Sequence, residues 1–244
     1  MRSLLALTAA TLALTACGSK DEAGNVSAPV TATPIAAPAG GDWTETVVAT
    51  PDGGFLMGNP NAPVKLVEYG AFSCSHCAEF SEVGVPKLKS DYVSKGLVSW
   101  EFRPFLLSAI DVPIALLAQC QGPAPYFKLA DQIFADQPNW MAKLQQATQA
   151  EQQALQAMSP AQAGAEIARL AGLDQFMRVR GLPAAKAQAC LADTAAAEKL
   201  NQMRNVATEQ HGLTGTPTFL INGNTVPDTA DWKTLEPKLR AAIG

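Results

Sequence analysis

The sequence predicts an α/β fold that is interrupted by a helical block. Short apolar, β-branched runs typical of strands occur in the first and last parts of the chain, with helix-forming segments between them. Long segments rich in Ala, Leu and Gln fill the middle. The 244 residues, 48% hydrophobic and 16% charged, suffice for one globular domain with an insertion.

The first residues have the pattern of an export signal. A positive start at Arg2 is followed by an apolar run from Ser3 to Leu14 and by small residues up to Cys17. The run is too short to span a bilayer as a helix. The sequence Leu-Thr-Ala-Cys also resembles the lipobox of bacterial lipoproteins, which implies a signal peptide over residues 1–17 and a lipid on Cys17. A plain secretory signal is the alternative, and both hypotheses predict export to the periplasm or cell envelope.

The rest of the chain divides by composition into four parts. Residues 18–42 are rich in Ala, Pro, Gly and Thr without apolar periodicity, so we predict a disordered tether there. Residues 43–109 and 193–244 carry the strand signals and form the two halves of the α/β unit. Residues 110–192 form the helical block between them.

The first half begins with a turn signal, Pro51-Asp52-Gly53, between two short strands. Pro86 lacks an N–H group, so we expect a kink or interruption where it falls inside a helix. In order, the predicted elements are strands at Thr46–Thr50, Gly54–Gly58 and Val64–Tyr69, a helix from about Cys74 to Val93, and a strand at Leu97–Phe102.

The second half follows several helices, which Pro and Gly separate within the block. Asn222-Gly223-Asn224 is a hairpin signal. The predicted elements are a helix at Ala195–Gln210, a strand at Thr218–Ile221, its short partner at Thr225–Pro227, and a helix from about Ala230 to Ala242. This order predicts an α/β sandwich that the helical block interrupts.

The segment FSCSHCAEF, residues 72–80, carries the most informative motif. A C-x-x-C pair whose first cysteine opens a helix after a buried strand is typical of a redox pair. Backbone N–H groups and the helix dipole favour a thiolate at Cys74, and His76 adds a nearby donor. Cys77 lies one turn further on the same face, where it can close a disulfide with Cys74. Because a stabilised thiolate favours the reduced form, the disulfide is expected to be an oxidant.

Three other chemistries fit the pair less well. Zinc requires two further ligands, and the remaining candidates, His76, His211, Cys120 and Cys190, lack the spacing of a zinc knuckle. Haem attachment requires histidine where Ala78 stands. A structural disulfide remains an alternative, although a two-residue loop at a helix start suits exchange better. From these arguments we expect no metal and no other cofactor. The net charge of −4 without a basic cluster disfavours nucleic acid, so we expect no nucleic-acid partner.

Three segments in order resemble the DsbA-like branch of the thioredoxin superfamily. NAPVKLVEYGAFSCSHC resembles its strand-to-active-site segment, and GTPTFLINGN resembles its cis-proline loop. The helical block lies between them, where the family carries its inserted domain. The resemblance covers residues 59–244, and it implies a thioredoxin fold with an inserted all-helical domain between the active-site half and the cis-proline half.

The resemblance implies a role for five residues. Cys74 corresponds to the attacking cysteine and Cys77 to the buried resolving cysteine. Pro217 corresponds to the cis-proline, beside which the backbone of Thr216 pairs with an extended substrate peptide; an ordinary turn proline is the alternative. Glu68 corresponds to the buried acid that assists proton transfer at Cys77, with a solvent-exposed edge carboxylate as the alternative.

The resemblance also accounts for two further cysteines. If Cys17 carries lipid, four of the five cysteines remain. Some family members, especially those of alphaproteobacteria, have a second disulfide in the insertion, and Cys120 and Cys190 resemble that pair. Closing a loop of roughly 70 residues is expected to stabilise the block by about 4 kcal/mol. Two free thiols are the alternative, which export disfavours.

The function that the resemblance implies is an exported thiol:disulfide oxidoreductase. It would donate the Cys74–Cys77 disulfide to folding exported proteins, depend on a DsbB-like membrane reoxidant, and work as a monomer. A reductase or isomerase kept reduced by a membrane donor is an alternative, because Ser75 replaces the proline of the most familiar oxidase and Thr216 resembles isomerases. A peptide-binding chaperone that uses the cis-proline groove is a second alternative.

Overall fold

The computed structural model describes residues 32–244. The predicted signal peptide, Cys17 and tether residues 18–31 lie outside this range. Six strands are described: β1 Val47–Ala49, β2 Phe55–Met57, β3 Val64–Gly70, β4 Val98–Pro104, β5 Thr218–Ile221 and β6 Asn224–Thr225. The α-helices of the two sheet halves are α1 Ser75–Glu79, α2 Val85–Leu88, α10 Thr194–His211 and α11 Trp232–Ile243.

The inserted block contains seven helices between residues 111 and 191 of the described chain. Capping boxes begin two of them, with Thr148 before α6 and Ser159 before α7. The helices are α3 Asp111–Gln119, α4 Tyr126–Ala135, α5 Gln137–Gln145, α6 Gln149–Ala157, α7 Pro160–Leu170, α8 Leu173–Arg178 and α9 Ala184–Leu191. A disulfide joins Cys120, at the end of α3, to Cys190 in α9, with their Cα atoms 5.9 Å apart.

The strands form a single sheet in the order β1-β2-β4-β3-β5-β6. β3 and β4 are parallel, and the other neighbouring strands are antiparallel. β3 is central and buried almost throughout, which explains its nearly continuous apolar sequence. Because β5 runs antiparallel to β3, the start of β5 lies beside the end of β3. This arrangement brings the two halves of the chain together where the C-x-x-C segment begins.

Aromatic side chains pack the sheet against the inserted block. Phe72 contacts Phe102 of β4 and Phe134 of α4, with ring centroids 5.8 and 5.0 Å apart. Tyr126 of α4 stacks on Phe55 of β2 at 3.7 Å. These rings are buried in one hydrophobic core that includes residues of both parts. The block is therefore joined to the sheet by a shared core, which favours a fixed arrangement of the two.

The helical segment after Cys74 remains helical through Pro86. A five-residue π-helical turn at Phe80–Gly84 lies between α1 and α2. A second one at Lys89–Val93 follows α2. The N–H of Val85 bonds to the carbonyl of Phe80, five residues earlier. Pro86 has no N–H group to donate, and the wider turn before it accommodates this loss. The predicted interruption thus takes the form of a π turn.

Two sequence predictions need correction. The hairpin turn contains only Asn222 and Gly223, whose φ angles are +50° and +83°, and the partner strand is Asn224–Thr225 rather than Thr225–Pro227. Two successive residues with positive φ make a tight two-residue turn, so pairing starts one residue earlier.

The second correction concerns the tether. Ala32 donates a backbone hydrogen bond to Ile243, and Ile35 donates one to Lys95. The indole Nε1 of the buried Trp43 donates to the carbonyl of Ile35 at 2.7 Å. Residues 32–42 therefore run along the folded domain, and the prediction of a disordered tether is wrong for them.

Candidate active site

The two cysteines of the C-x-x-C segment lie at the start of α1. Cys74 is the capping residue, and its Sγ accepts a hydrogen bond from the backbone N–H of Cys77 at 3.4 Å. Both side chains are buried, and both are free thiols, so the structure describes the dithiol form of the pair. Cys74 therefore sits where the helix terminus presents unpaired N–H groups to a negative charge.

The pKa values of the two thiols are shifted in opposite directions. Hydrogen bonding with Cys77 is the largest cause that lowers the pKa of Cys74 to about 5, against partial burial. Thr216 and the backbone N–H groups of Cys77 and His76 lower it further. Burial raises the pKa of Cys77 well above its ordinary value, with further increases from Cys74 and Glu68. At neutral pH, Cys74 is therefore a thiolate and Cys77 holds its proton.

The loop before β5 faces Cys74. The Thr216–Pro217 peptide bond is cis. The Cys74 sulfur lies 3.2 Å from the carbonyl oxygen of Thr216, to which it donates a hydrogen bond when it is protonated. The structure thus brings residues 142 positions apart into contact at the sulfur that reacts.

Glu68 lies inside the sheet, only 2% exposed, on the central strand β3. This position excludes the alternative of a solvent-exposed edge carboxylate. The indole Nε1 of Trp100 donates to its Oε2 at 3.1 Å. Burial raises the pKa of Glu68 to about 8, although the Trp100 bond opposes the shift. The acid therefore retains a proton at neutral pH, close enough to Cys77 to affect its titration.

A small cavity of about 10 Å³ adjoins Glu68. Ser81 and Asp131 also line it, and both face a larger groove between the helical segment after Cys74 and helices α4 and α5. The cavity has about the volume that a single water molecule needs, and its walls offer polar partners.

His76 does not have the predicted contact with the thiolate. Its side chain is 69% exposed, and Nδ1 lies 3.7 Å from Oε2 of Glu79. The backbone N–H of His76, rather than its ring, contributes to the low pKa of Cys74. The prediction of an imidazole donor at the sulfur is corrected accordingly. Because the side chain at this position points to solvent, the ring is available to a molecule that approaches Cys74.

Three polar residues at the site were not predicted. Trp100 bonds Glu68, Asp111 binds Ser73, and Gln137 binds the carbonyls of Phe72 and Cys74. The sequence carries no local signal for these contacts, because they join elements that are far apart in the chain. In the described range, no group of three or more His, Cys, Asp or Glu side chains is arranged to hold a metal ion. No helix among residues 32–244 has both the length and the apolar character needed to cross a bilayer.

A C-x-x-C pair at a helix start, facing a cis-proline loop on a mixed sheet, defines the class of thioredoxin-fold proteins with a redox pair. The family model described as Thioredoxin matches residues 50–241. The chain belongs to this family. The helical block inserted between the active-site half and the cis-proline half makes it a DsbA-like member, as the sequence predicted.

Solved structures and curated relatives support this assignment. The protein-disulfide isomerase from Novosphingobium aromaticivorans is 32% identical with a TM-score of 0.74, and the match covers 78% of this chain and 96% of that one. Wolbachia pipientis alpha-DsbA1 shares the fold, with a TM-score of 0.64, 21% identity, and coverage of 81% and 94%. A Rickettsia bellii protein, provisionally named a protein-disulfide oxidoreductase, is 25% identical over 69% of this chain. The chain spans 56% of that relative's length.

The titration of Glu68 leads to a prediction about stability. A carboxyl group whose pKa is raised from 4.5 to about 8 stabilises the fold below pH 4.5 and loses this contribution as the pH rises through 8. In the unchanged protein, the free energy of unfolding is therefore expected to fall by up to about 1.4 kcal/mol per pH unit between pH 4.5 and 8. Glu68→Gln is expected to remove this fall. Urea unfolding of the reduced protein at a series of pH values measures it.

The exposed Glu79 provides the matched control for this prediction. Glu79→Gln removes a carboxylate close to the redox pair without changing a buried group. Its stability should follow that of the unchanged protein at each pH. If Glu68→Gln keeps the same pH slope as Glu79→Gln, Glu68 does not hold a proton in the folded protein.

Proposed function

We propose that this protein is an exported thiol:disulfide oxidoreductase that donates its Cys74–Cys77 disulfide to folding proteins. The observation that carries the proposal is the acidity of Cys74, whose pKa is about 5, beside the cis-proline loop. A thiolate that is stable at neutral pH lowers the free energy of the reduced pair. The disulfide is then readily transferred, and each tenfold change in the exchange equilibrium corresponds to about 30 mV.

The exchange proceeds in two balanced steps. A substrate thiolate attacks Sγ of Cys74, the Cys74–Cys77 bond breaks, and Cys77 leaves with the bonding electron pair and takes up a proton. A second substrate thiolate then attacks the substrate sulfur of the mixed disulfide and releases the Cys74 thiolate. The substrate loses two electrons and gains a disulfide, and the protein pair gains both electrons.

Glu68 serves the first step as a proton donor. Cys77 is buried and its pKa is raised well above the ordinary value, so it is a poor leaving group until it is protonated. Glu68 still holds a proton at neutral pH, because its own pKa is about 8. We expect it to regain the proton on the side of Ser81 and Asp131, which line a small cavity next to it. In the reverse direction, the same group accepts the proton of Cys77.

The substrates that fit this site are reduced, unfolded exported proteins. The backbone beside Pro217 presents an extended segment next to Cys74, which suits a peptide bound as an added strand. The predicted signal places the protein in the periplasm or cell envelope, with a lipid on Cys17 as its membrane anchor. A DsbB-like membrane protein is the expected reoxidant, and a monomer is the expected working form.

The reductase alternative differs from this proposal in redox potential. The test is the equilibrium of the Cys74–Cys77 pair with a glutathione buffer, followed by thiol alkylation and mass measurement. A donor is expected at about −180 to −120 mV, the range from protein disulfide isomerase to DsbA. Cys74→Ser/Cys77→Ser, which retains the Cys120–Cys190 bridge, corrects for thiols outside the pair. A value near that of thioredoxin, about −270 mV, would instead support the reductase.

A further inference from the structure

The inserted helical block reaches the redox pair through two buried polar side chains. Gln137 is the first residue of α5 and is 7% exposed, and Asp111 is the first residue of α3 and is 1% exposed. Both contact residues 72–74, the segment that leads from β3 into α1. Neither takes part in the exchange steps, so their burial at this position requires a different explanation.

Gln137 binds the backbone on both sides of Ser73. Its Nε2 donates to the carbonyl of Phe72 at 2.6 Å and to the carbonyl of Cys74 at 3.0 Å. The carbonyl of Cys74 also accepts the helical bond from the N–H of Ala78 at 3.1 Å. A single side-chain amide has two N–H groups, and here both are directed to this segment. The position of the Cys74 backbone therefore depends on α5.

Asp111 holds the residue between those two carbonyls. Its carboxylate accepts hydrogen bonds from the N–H and Oγ of Ser73, both at 2.9 Å. It also accepts from the N–H groups of Leu107 and Ser108, just after β4. The segment before the attacking cysteine is thus held by an acceptor on α3 and a donor on α5. Both helices belong to the inserted block.

We propose that Gln137 is a positioning residue of the redox pair, which keeps the Cys74 sulfur beside the N–H of Cys77 and so favours its thiolate. Two effects act in this direction. The amide N–H groups offset the negative ends of the carbonyl dipoles of Phe72 and of Cys74 itself. They also fix the capping geometry on which the 3.4 Å bond from Cys77 depends. This inference rests on the proposed function, since it explains how the block contributes to the strength of the oxidant.

A purely structural role for Gln137 is the competing explanation. In that case, its loss would weaken the docking of the block but leave the chemistry of the folded site unchanged. The titratable groups around Cys74 are Cys77, His76 and Glu79 on the helical segment, Glu68 on β3 and Asp111 on α3. Substitution of Gln137 leaves all of them in place. A change in the thiolate of a variant without a new charge, such as Gln137→Ala, therefore reports on the amide itself.

The test compares Gln137→Ala and Gln137→Glu with Gln145→Ala, an exposed glutamine at the end of the same helix. Two properties are measured for each full-length variant: the glutathione equilibrium of the Cys74–Cys77 pair, and the pH midpoint of its ultraviolet thiolate absorbance. We expect Gln137→Ala to make the pair about tenfold less oxidising, about 30 mV, and to raise the midpoint by about one pH unit. Gln137→Glu should have the larger effect, since a carboxylate lacks both N–H donors and adds a negative charge that further disfavours the thiolate.

Circular dichroism and urea unfolding establish that each variant is folded under the conditions of measurement. If folded Gln137→Ala, which adds no charge, remains within twofold of the unchanged protein in the equilibrium, the proposal is wrong. It is equally wrong if Gln145→Ala shifts the equilibrium as much as Gln137→Ala does. These comparisons measure differences between variants, whereas the proposed donor role depends on the absolute potential of the unchanged protein, so the two hypotheses fail independently.

Discussion

Cys74→Ser is expected to abolish disulfide transfer to a reduced test protein, down to the rate seen without protein. A hydroxyl group cannot form the mixed disulfide, and Cys77 cannot replace Cys74 because it is buried and its thiol resists ionisation. The assay follows the recovery of activity of a reduced, unfolded enzyme whose native state requires disulfides, with the oxidised protein as the sole oxidant. The expected loss is complete, since all of the exchange passes through one sulfur.

Cys77→Ser provides the informative partner of this variant. It keeps the Cys74 thiolate but removes the group that would expel a bound substrate. Treated with a substrate protein that carries an activated mixed disulfide, it should accumulate a covalent complex through Cys74, visible on a non-reducing gel and absent after reduction. Cys120→Ala/Cys190→Ala serves as the control and should still transfer disulfides. Transfer by Cys74→Ser would exclude the pair as the reacting group.

The order of strands and helices could be predicted from the sequence because its signals are local. The Thr218–Ile221 strand was predicted with its observed bounds, since a β-branched and aromatic run ends at a turn signal. Helix α10 was predicted to within one residue at each end, between a capping Asp193 and Gly212. The bounds of such elements depend on residues that are close together in the sequence, so they can be predicted from the sequence alone.

The pairing of the strands and the polar contacts of the site depend on residues far apart in the chain. Gln137 lies 63 residues from Cys74, within a segment whose composition indicates only a helix. The hydrogen bond from Trp100 to Glu68 could not be predicted for the same reason. The sequence indicates only a buried aromatic residue, and the bond becomes evident once β3 and β4 are paired. The resemblance to a family implied the cysteine and cis-proline roles, but it carried no information about these donors.

His76 illustrates a different limit. Its place between the cysteines suggested a charged ring beside the sulfur, yet a side chain at that position of a helix start points outward, toward Glu79. The electrostatic help that Cys74 receives comes instead from backbone N–H groups and from the Cys77 thiol. The expectation of a low pKa was right in direction because the helix start alone favours a thiolate. The identity of the residue between the cysteines therefore bears more on what approaches the site than on the buried geometry.

Removal of the Cys120–Cys190 disulfide is expected to lower the free energy of unfolding by about 4 kcal/mol. The bridge closes a loop with a sequence separation of 70 residues, and its loss returns conformational freedom to the unfolded chain. A chain of this size should lose about 8 to 16 °C in Tm. Helices α3 and α9 still bury Leu117 and Leu191 in the shared core, so the protein should remain folded at room temperature.

The active-site pair must be absent from the measurement, because its own redox state also changes stability. We therefore compare Cys74→Ala/Cys77→Ala with the same protein carrying Cys120→Ala and Cys190→Ala in addition, by urea unfolding. A strong reductant should bring the first protein down to the stability of the second and leave the second unchanged. A difference below about 1 kcal/mol would mean that the unfolded block keeps residual structure that already restricts the loop, since the entropy of loop closure is gained only when the reduced chain is free to expand.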